Sequence, residues 1–215
     1  EKKASKLYYK KYAYSFGSGR MALYAGLKAL NIKEGDEIII APYTCVVVIN
    51  AILYCKAKPI FSDINLCDFN MDLDKAVKKI SNETKAIYIQ HTFGNYLNFE
   101  KIIKICKDKN IFIIEDSAHY FPNNQMLKSD IMINSSDLSK IYNTYIGGMI
   151  FTDDILISNK LKKIYNNSNE FNFVQKFRII ISFYFTLLLN LPNLYILTNY
   201  FNSILQKINF YFNFN

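Results

Sequence analysis

The sequence predicts an α/β fold with three layers, α/β/α, around a mainly parallel sheet. Between Tyr14 and Asp154, short apolar runs rich in β-branched residues alternate with segments whose apolar residues recur every three or four positions. This alternation is typical of β-α-β units. The chain has 215 residues and is 51% hydrophobic, which is enough apolar material for one sizeable core.

The individual elements follow from the same periodicities. Six runs are predicted as strands: 37–41, 59–63, 85–90, 111–115, 130–133 and 148–152. Four segments are predicted as the helices that connect them: 20–30, 46–54, 73–80 and 99–107. Parallel neighbours need such crossover connections, so the sheet is expected to be doubly wound.

The chain changes character beyond Ile155, where Asn becomes frequent and residues 178–197 form an apolar, aromatic stretch interrupted at Asn190, Pro192 and Asn193. We therefore predict a large ligand-binding domain over 1–155. Residues 156–215 are predicted as an apolar helical segment, a truncated or divergent part of a small domain. The unbroken apolar run 179–189 is shorter than the ~20 residues of a membrane span. A helix on a membrane surface and a helix packed against protein both remain open.

Charge and cysteine content limit the partners. The formal charge is +8, which suits a nucleotide diphosphate, a nucleic acid or an anionic membrane surface, but the lysines are scattered as on solvated helix faces. The four cysteines form no C-x-x-C pair and no zinc-like spacing with histidine. We expect no metal, reduced cysteines and a cytoplasmic protein without a signal peptide.

A glycine-rich turn over residues 15–20 precedes the first predicted helix. Glycine lets the backbone approach a phosphate closely, and a helix N-terminus attracts anions. Gly17, Gly19 and Ala22 also satisfy a dinucleotide fingerprint, which requires an acidic residue after the second strand. Here Asp36 and Glu37 precede that strand, which weakens the dinucleotide interpretation. A turn that binds no ligand remains the alternative.

Glu115 and Asp116 directly follow the apolar run 111–114. A carboxylate at the end of a buried strand is costly unless it meets a cation or several donors, and a protonated pyridine ring is such a cation. The alternative is local, since Asp116 or Ser117 could cap the next segment.

Lys140 follows the strand 130–133 and comes after the hydroxyls of Ser135 and Ser136. A lysine that forms a Schiff base must lie in a partly desolvated site, and neighbouring hydroxyls suit a phosphate. An isolated lysine at such a place is more often a solvated loop residue.

Two further strand ends carry candidate side chains. Tyr43, Thr44 and Cys45 follow the strand 37–41, where a flat or polarisable group could lie against a bound ring. For Cys45 the alternative is a buried structural cysteine. His91 ends the strand 85–90, and a hydrogen-bonded core histidine is favoured over a catalytic one.

Taken in order, these motifs resemble the DegT/DnrJ family over residues 14–154. The matching segments are Phe16-Gly-Ser-Gly-Arg-Met-Ala-Leu, Gly35-Asp-Glu-Ile-Ile, Ala57-Lys-Pro-Ile-Phe-Ser-Asp-Ile, Thr84-Lys-Ala-Ile, His91-Thr-Phe-Gly, Ile114-Glu-Asp-Ser-Ala-His and Ser139-Lys. The family consists largely of fold-type I aminotransferases that use pyridoxal 5'-phosphate (PLP). They convert keto sugars carried on a nucleotide diphosphate into amino sugars, usually with glutamate as the amino donor.

The resemblance implies a role for each matching residue. It gives Lys140 as the Schiff-base lysine, Asp116 as the carboxylate at the pyridine nitrogen, His119 at the ring hydroxyl, Gly19, Arg20 and Ser135 at the phosphate, and Cys45 at the ring-stacking position. Family members that dehydrate sugars have histidine instead of this lysine, so Lys140 favours transamination. The resemblance also implies a homodimer that acts on a nucleotide sugar in surface polysaccharide or amino-sugar biosynthesis, and not on nucleic acid.

The chain departs from the family pattern at several places. Cys45 replaces the usual stacking aromatic, Tyr120-Phe121-Pro122 follows His119 where a small residue is usual, and the turn between Lys140 and Gly147 is not glycine-rich. The family's C-terminal domain is not recognisable after Ile155. Two alternatives therefore remain: a non-catalytic binding or regulatory protein of the PLP fold, and a nucleotide-binding α/β protein without PLP.

Overall fold

The computed structural model describes residues 1–121, 129–137, 139–140 and 144–189. The chain divides into two compact units, residues 1–167 and 168–215, which are described separately. The strands of the first unit are β1 (Tyr12–Phe16), β2 (Glu37–Ile40), β3 (Lys58–Phe61), β4 (Thr84–Gln90), β5 (Phe112–Asp116), β6 (Ile131–Ser135) and β7 (Gly148–Thr152). Its α-helices are α1 (Lys2–Leu7), α2 (Gly19–Ala29), α3 (Val46–Tyr54), α4 (Leu73–Lys78), α5 (Glu100–Asp108) and α6 (Ile155–Asn166).

The strands form one sheet in the order β1-β7-β6-β5-β4-β2-β3. The pairings from β3 through β2, β4 and β5 to β6 are parallel, whereas β7 is antiparallel to both β6 and β1. The predicted mainly parallel α/β fold is therefore confirmed, and the six predicted strands and four predicted connecting helices are all present, with ends that shift by at most a few residues.

Helices cover both faces of the sheet because the parallel strands are apolar on both sides. On one face, α2, α3 and α6 pack through Leu27, Ile52 and Leu161 against a cluster that includes Ile40 and Ile114. On the other face, α4 and α5 pack against a second cluster. It includes Ile39 and Ile113, which adjoin Ile40 and Ile114 in sequence and point to the opposite face of the sheet. Each such buried side chain contributes roughly 1.5–3 kcal/mol of transfer free energy.

Strand β1 was missed by the sequence prediction because it has no continuous apolar run and its residues are only partly buried or exposed. It lies at the edge of the sheet, held antiparallel to β7 with Phe16 opposite Gly148. This placement also contradicts the dinucleotide interpretation of the turn after β1. In a dinucleotide fold the strand before the glycine-rich turn is central and parallel to its neighbours, whereas β1 here lies at the edge of the sheet and is antiparallel to β7.

The second unit is described as far as Leu189 and contains α7 (Phe173–Leu189). Many of its large apolar side chains are exposed, including Phe173, Phe177 and Tyr184. No helix within the described residues combines the length and the apolar character that a membrane crossing needs. Asn190, Pro192 and Asn193 lie outside the described residues, and the division into domains at 155 and 156 stays a prediction. Helix α6 belongs to the first compact unit.

Candidate active site

A cleft of about 380 Å³ opens at the carboxyl ends of β2, β4 and β5. Ligands of open α/β sheets bind at this edge, because the strands deliver their last residues and the following loops to the same place. The residues that line the cleft are Pro42, Tyr43, Thr44, Cys45, Gln90, Thr92, Phe93, Asp116, Ala118, His119 and Lys140. The structure thus brings together Asp116, His119, Lys140 and Cys45, which the sequence places far apart.

Asp116 is the last residue of β5 and reaches the cleft with a side chain that is almost entirely buried. Its Oδ2 accepts a hydrogen bond of 2.5 Å from the hydroxyl of Tyr88, and its Oδ1 accepts one of 2.9 Å from the backbone N–H of Ala118. These donors compensate part of the cost of burying a carboxylate. The bond to Ala118 closes a local turn, but no helix begins in residues 117–121, so Asp116 is not a helix cap.

Lys140 is half-buried and reaches the same cleft, so it is not a fully solvated loop lysine. Its Nζ lies 3.1 Å from Nε2 of His119. Burial lowers the pKa of His119 below its usual value, the charge of Lys140 lowers it further, and Asp116 acts in the opposite direction. A neutral imidazole is therefore favoured at neutral pH, and its Nε2 can accept a hydrogen bond from the Nζ of Lys140.

The opposite wall of the cleft is formed by the loop after β2 and the end of β4. The hydroxyl of Thr44 donates to Oε1 of Gln90 over 2.7 Å, and Nε2 of Gln90 donates to the hydroxyl of Thr92 over 3.1 Å. These bonds fix the wall beside Cys45. The alternative of a buried structural cysteine is wrong, because Cys45 is exposed at the start of α3 and lines the cleft.

The predicted phosphate residues form a cradle beside the cleft, at the N-terminus of α2. Ser18 caps this helix by accepting a hydrogen bond from the N–H of Met21 over 3.2 Å. A Cβ added to Gly19 would lie 2.8 Å from the Cβ of Ser135, and one added to Gly148 would lie 2.3 Å from the backbone N of Gly19. Glycine at both positions is what lets the helix N-terminus approach β6 and β7 this closely.

This cradle suits an anionic group because the dipole and the first N–H groups of α2 lie close to the hydroxyl of Ser135. Arg20 is the second residue of the same helix. Gly19, Arg20 and Ser135 are not among the lining residues of the cleft itself. The predicted residues therefore form two groups on neighbouring strands, since β6, which ends at Ser135, pairs directly with β5, which ends at Asp116.

His91 faces away from the cleft, and the prediction of a hydrogen-bonded core histidine is confirmed. Its side chain is fully buried, its Nδ1 accepts a hydrogen bond from the N–H of Leu97, and its Nε2 lies 2.9 Å from Oε1 of Glu115. Successive strand residues point to opposite faces. His91 and Glu115 therefore lie on one side of the sheet, and Gln90 and Asp116 lie on the other.

Sequence reasoning missed three residues of the site: Tyr88, Gln90 and Phe93. Gln90 is the last residue of β4 and lines the cleft, and Tyr88 lies two residues earlier on the same face of the strand. The alternation of side chains along a strand could therefore have identified both. Phe93 could not be found in this way, because it lies in the short 3₁₀ turn Thr92–Gly94 with a positive φ of 55°. The departures noted after His119 and Lys140 fall partly on Pro122 and on residues 141–143, which lie outside the described residues.

The side chains fit pyridoxal phosphate in each of its functional parts. Lys140 supplies a primary amine, Asp116 a buried carboxylate for the pyridine nitrogen, His119 a polar ring nearby, and the cradle at Gly19 a place for the phosphate. Among the described residues, no group of three or more His, Cys, Asp or Glu side chains could hold a metal ion.

Comparisons with known proteins agree with this chemistry. The family model of the DegT/DnrJ/EryC1/StrS aminotransferase family matches residues 1–180. The GDP-perosamine synthase of Escherichia coli O157:H7 is 37% identical over 148 residues, which is 66% of this chain and 41% of that protein. The chain thus spans well under half the length of this relative.

Two solved structures resemble the fold closely. The structure of NtdA from Bacillus subtilis with bound cofactor PMP has a TM-score of 0.74 and 27% identity, and the match covers 80% of this chain and 42% of that one. The GDP-4-keto-6-deoxymannose-3-dehydratase ColD, as a mutant with bound GDP-perosamine, has a TM-score of 0.69 and 28% identity. That match covers 75% of this chain and 45% of the ColD chain.

Proposed function

Because the chain belongs to the DegT/DnrJ/EryC1/StrS aminotransferase family, we propose that it is the PLP-binding part of an enzyme that aminates a nucleotide-linked keto sugar. The observation that carries this proposal is the placement of Lys140 and Asp116 on one cleft of about 380 Å³. The amino donor is glutamate, and the product is an amino sugar for surface polysaccharide or other amino-sugar biosynthesis. The name of the Escherichia coli relative, a GDP-perosamine synthase, supports a nucleotide sugar as substrate.

Each side chain has a defined task in this reaction. Bound PLP supplies an electron sink that stabilises negative charge at the substrate carbon. The Nζ of Lys140 holds the cofactor and, once released, carries a proton between the substrate Cα and the cofactor C4′. Asp116 would keep the pyridine nitrogen protonated, and neutral His119, which accepts a hydrogen bond from Lys140, would contact the ring hydroxyl.

The remaining site residues bind and orient. Gly19, Arg20 and Ser135 would hold the phosphate at the N-terminus of α2, and Cys45, which lines the cleft, would contact the ring. We propose further that a second copy of the chain completes each active site and that the enzyme is cytoplasmic. The exposed apolar side chains of α7, together with Lys176 and Arg178, support contact of this segment with a membrane surface.

The test is chemical labelling of the lysine. Borohydride reduction of the protein loaded with PLP, followed by peptide mapping, should place a pyridoxyl group on the peptide that contains Lys140. Lys140→Ala should lose the visible absorption of the bound cofactor, whereas Lys104→Ala, which removes an exposed lysine of α5, should keep it. An unchanged absorption spectrum in Lys140→Ala contradicts the assignment.

The same material separates an enzyme from a binding protein. Loaded protein that absorbs normally but transfers no amino group from glutamate to any nucleotide-linked keto sugar would support the second candidate, a non-catalytic or regulatory protein of the same fold. Transfer that stops in Lys140→Ala supports the aminotransferase.

A further inference from the structure

We propose that Tyr88 is a positioning residue that acts through Asp116: its hydroxyl orients the carboxylate and weakens it as a proton acceptor, so that the proton stays on the pyridine nitrogen. This inference rests on the proposed function. It concerns a residue two positions before the end of β4, a strand that otherwise contributes the wall of the cleft.

The register of the sheet brings the two side chains together. In the parallel pair β4 and β5, Tyr88 stands beside Ile114, and Gln90 stands beside Asp116. Residues two apart in a strand point to the same face of the sheet, so Tyr88 shares a face with Gln90. Asp116 stands beside Gln90 and therefore points to that face as well. An aromatic side chain spans this diagonal, and the phenol oxygen reaches Oδ2 of Asp116 at 2.5 Å.

The surroundings of Tyr88 show that its hydroxyl has a specific task. Tyr88 belongs to the same buried cluster as Ile40, Ala51 and Ile114, where phenylalanine would fill the same space. A hydroxyl in such an apolar environment is costly unless it is hydrogen-bonded. Its bond is to Asp116, so the oxygen serves the carboxylate and not the packing of the core.

The direction of the hydrogen bond is fixed. Burial raises the pKa of Tyr88 well above its usual value, and the nearby charge of Asp116 raises it further, so the phenol stays protonated and donates. With Ala118 donating to the other oxygen, each carboxylate oxygen has one protein donor. The remaining lone pairs are available to a pyridine N–H in the cleft.

A donor also changes the strength of the carboxylate. A hydrogen bond to an ionised oxygen stabilises the charged form relative to the protonated form. Asp116 therefore competes less well for the proton that it shares with the ring nitrogen. If the phenol oxygen is removed, the carboxylate becomes the stronger acceptor, and the shared proton moves toward Asp116 and away from the ring.

The experiment compares Tyr88→Phe with Tyr14→Phe, using protein loaded with PLP that carries ¹⁵N in the pyridine ring. Tyr14 is the matched control, because its hydroxyl also forms hydrogen bonds, to the backbone oxygen and hydroxyl of Ser158, but lies outside the cleft. In Tyr88→Phe the ¹⁵N resonance should shift toward the value of neutral pyridine, and kcat should fall about tenfold, the loss expected for one hydrogen bond to a charged group. In Tyr14→Phe both should stay at the wild-type values. Circular dichroism and urea unfolding of each variant establish first that it is folded.

A second pair of variants tests whether Tyr88 acts through Asp116. In the Asp116→Asn background, adding Tyr88→Phe should leave the ¹⁵N resonance unchanged and change kcat less than about twofold, because the carboxylate charge that the phenol stabilises has gone. A Tyr88→Phe resonance equal to that of Tyr14→Phe, or a full effect that persists in Asp116→Asn, overturns the inference. If the wild-type protein shows no label at Lys140, the proposed function fails, and this inference fails with it.

Discussion

Glu115 and Asp116 are consecutive residues of one strand, yet they end in two different environments. Glu115 is fully buried behind the sheet, where Oε1 meets Nε2 of His91 at 2.9 Å and Oε2 accepts a hydrogen bond from the hydroxyl of Ser129 at 2.7 Å. The ammonium of Lys10 lies 3.5 Å from that hydroxyl. Asp116 has two protein donors as well, but it faces a cleft that a ligand can enter.

The comparison shows how one strand end serves both stability and chemistry. In the network around Glu115 every partner is fixed: Nδ1 of His91 accepts the N–H of Leu97, so the ring carries its proton on Nε2 and donates it to the carboxylate. A closed network of this kind is stable only while it is complete. Asp116 has lone pairs beyond those that accept hydrogen bonds from Tyr88 and Ala118, and these lone pairs can accept a hydrogen bond from a bound ligand.

The largest expected effect is on activity, in Asp116→Asn. This change keeps the shape of the side chain and an oxygen that accepts hydrogen bonds, but it removes the charge that the proposed function assigns to the pyridine proton. The rate at which glutamate converts the bound cofactor should fall about a thousandfold, roughly 4 kcal/mol in the barrier. The free energy of unfolding of the cofactor-free protein should change by less than about 1 kcal/mol. A loss of stability without a loss of rate would reverse the roles assigned to the two carboxylates.

The next effect is on stability, in His91→Leu, which removes the fixed donor of Glu115 while roughly preserving the volume. A buried carboxylate deprived of its partner should lower the free energy of unfolding by about 3 kcal/mol in urea at pH 7. Lys101→Ala is the control, because it breaks an exposed ion pair of 2.7 Å with Asp74 and should cost less than about 1 kcal/mol. Equal losses in the two variants would show that the network behind the sheet is not closed.

The smallest effect concerns Asp130, a carboxylate at the other end of β6, where it accepts the N–H of Ile113 over 2.7 Å. Burial raises its pKa above the usual value, and although the bond from Ile113 acts in the opposite direction, the net shift is upward. Its contribution to stability is thus present below the unfolded-state pKa of about 3.9 and is lost as the pH rises through the folded-state pKa.

Asp130→Asn removes this titration and keeps an oxygen acceptor for Ile113. The stability of the variant minus that of the wild type should therefore be more favourable at pH 7 than at pH 4. Urea midpoints of both proteins at the two pH values measure this difference. A difference of the opposite sign would mean that the folded protein stabilises the ionised form of Asp130.

The sequence was sufficient for the layers of the fold and for several of the side chains that meet at the cleft. Apolar runs identify β5 and β6 because both strands are largely buried on both faces. Asp116, at the end of β5, and Lys140, after β6, reach the same cleft. The edge strand β1 escaped prediction because an exposed strand needs no apolar run. The contact of Gly19 with Ser135 depends on the order of strands in the sheet, and residue patterns do not encode that order directly.

Face alternation was the signal that went unused. It separates Gln90 from His91 and Asp116 from Glu115, and it places Tyr88 on the side of the cleft. The hydrogen bond between Tyr88 and Asp116 additionally requires the register of β4 against β5, which is set by packing over the whole sheet.

The antiparallel pairing of β1 with β7 also bears on how the protein is made. The turn that begins α2 leaves the ribosome early, but the strand on which it rests, Gly148–Thr152, is synthesised last among the described strands. Contacts between such distant parts of a chain form slowly, and a nascent chain without its last strand has no partner for β1. The corner between the start of α2 and β7 is consequently completed late in folding, and a chain that ends before β7 should not form it.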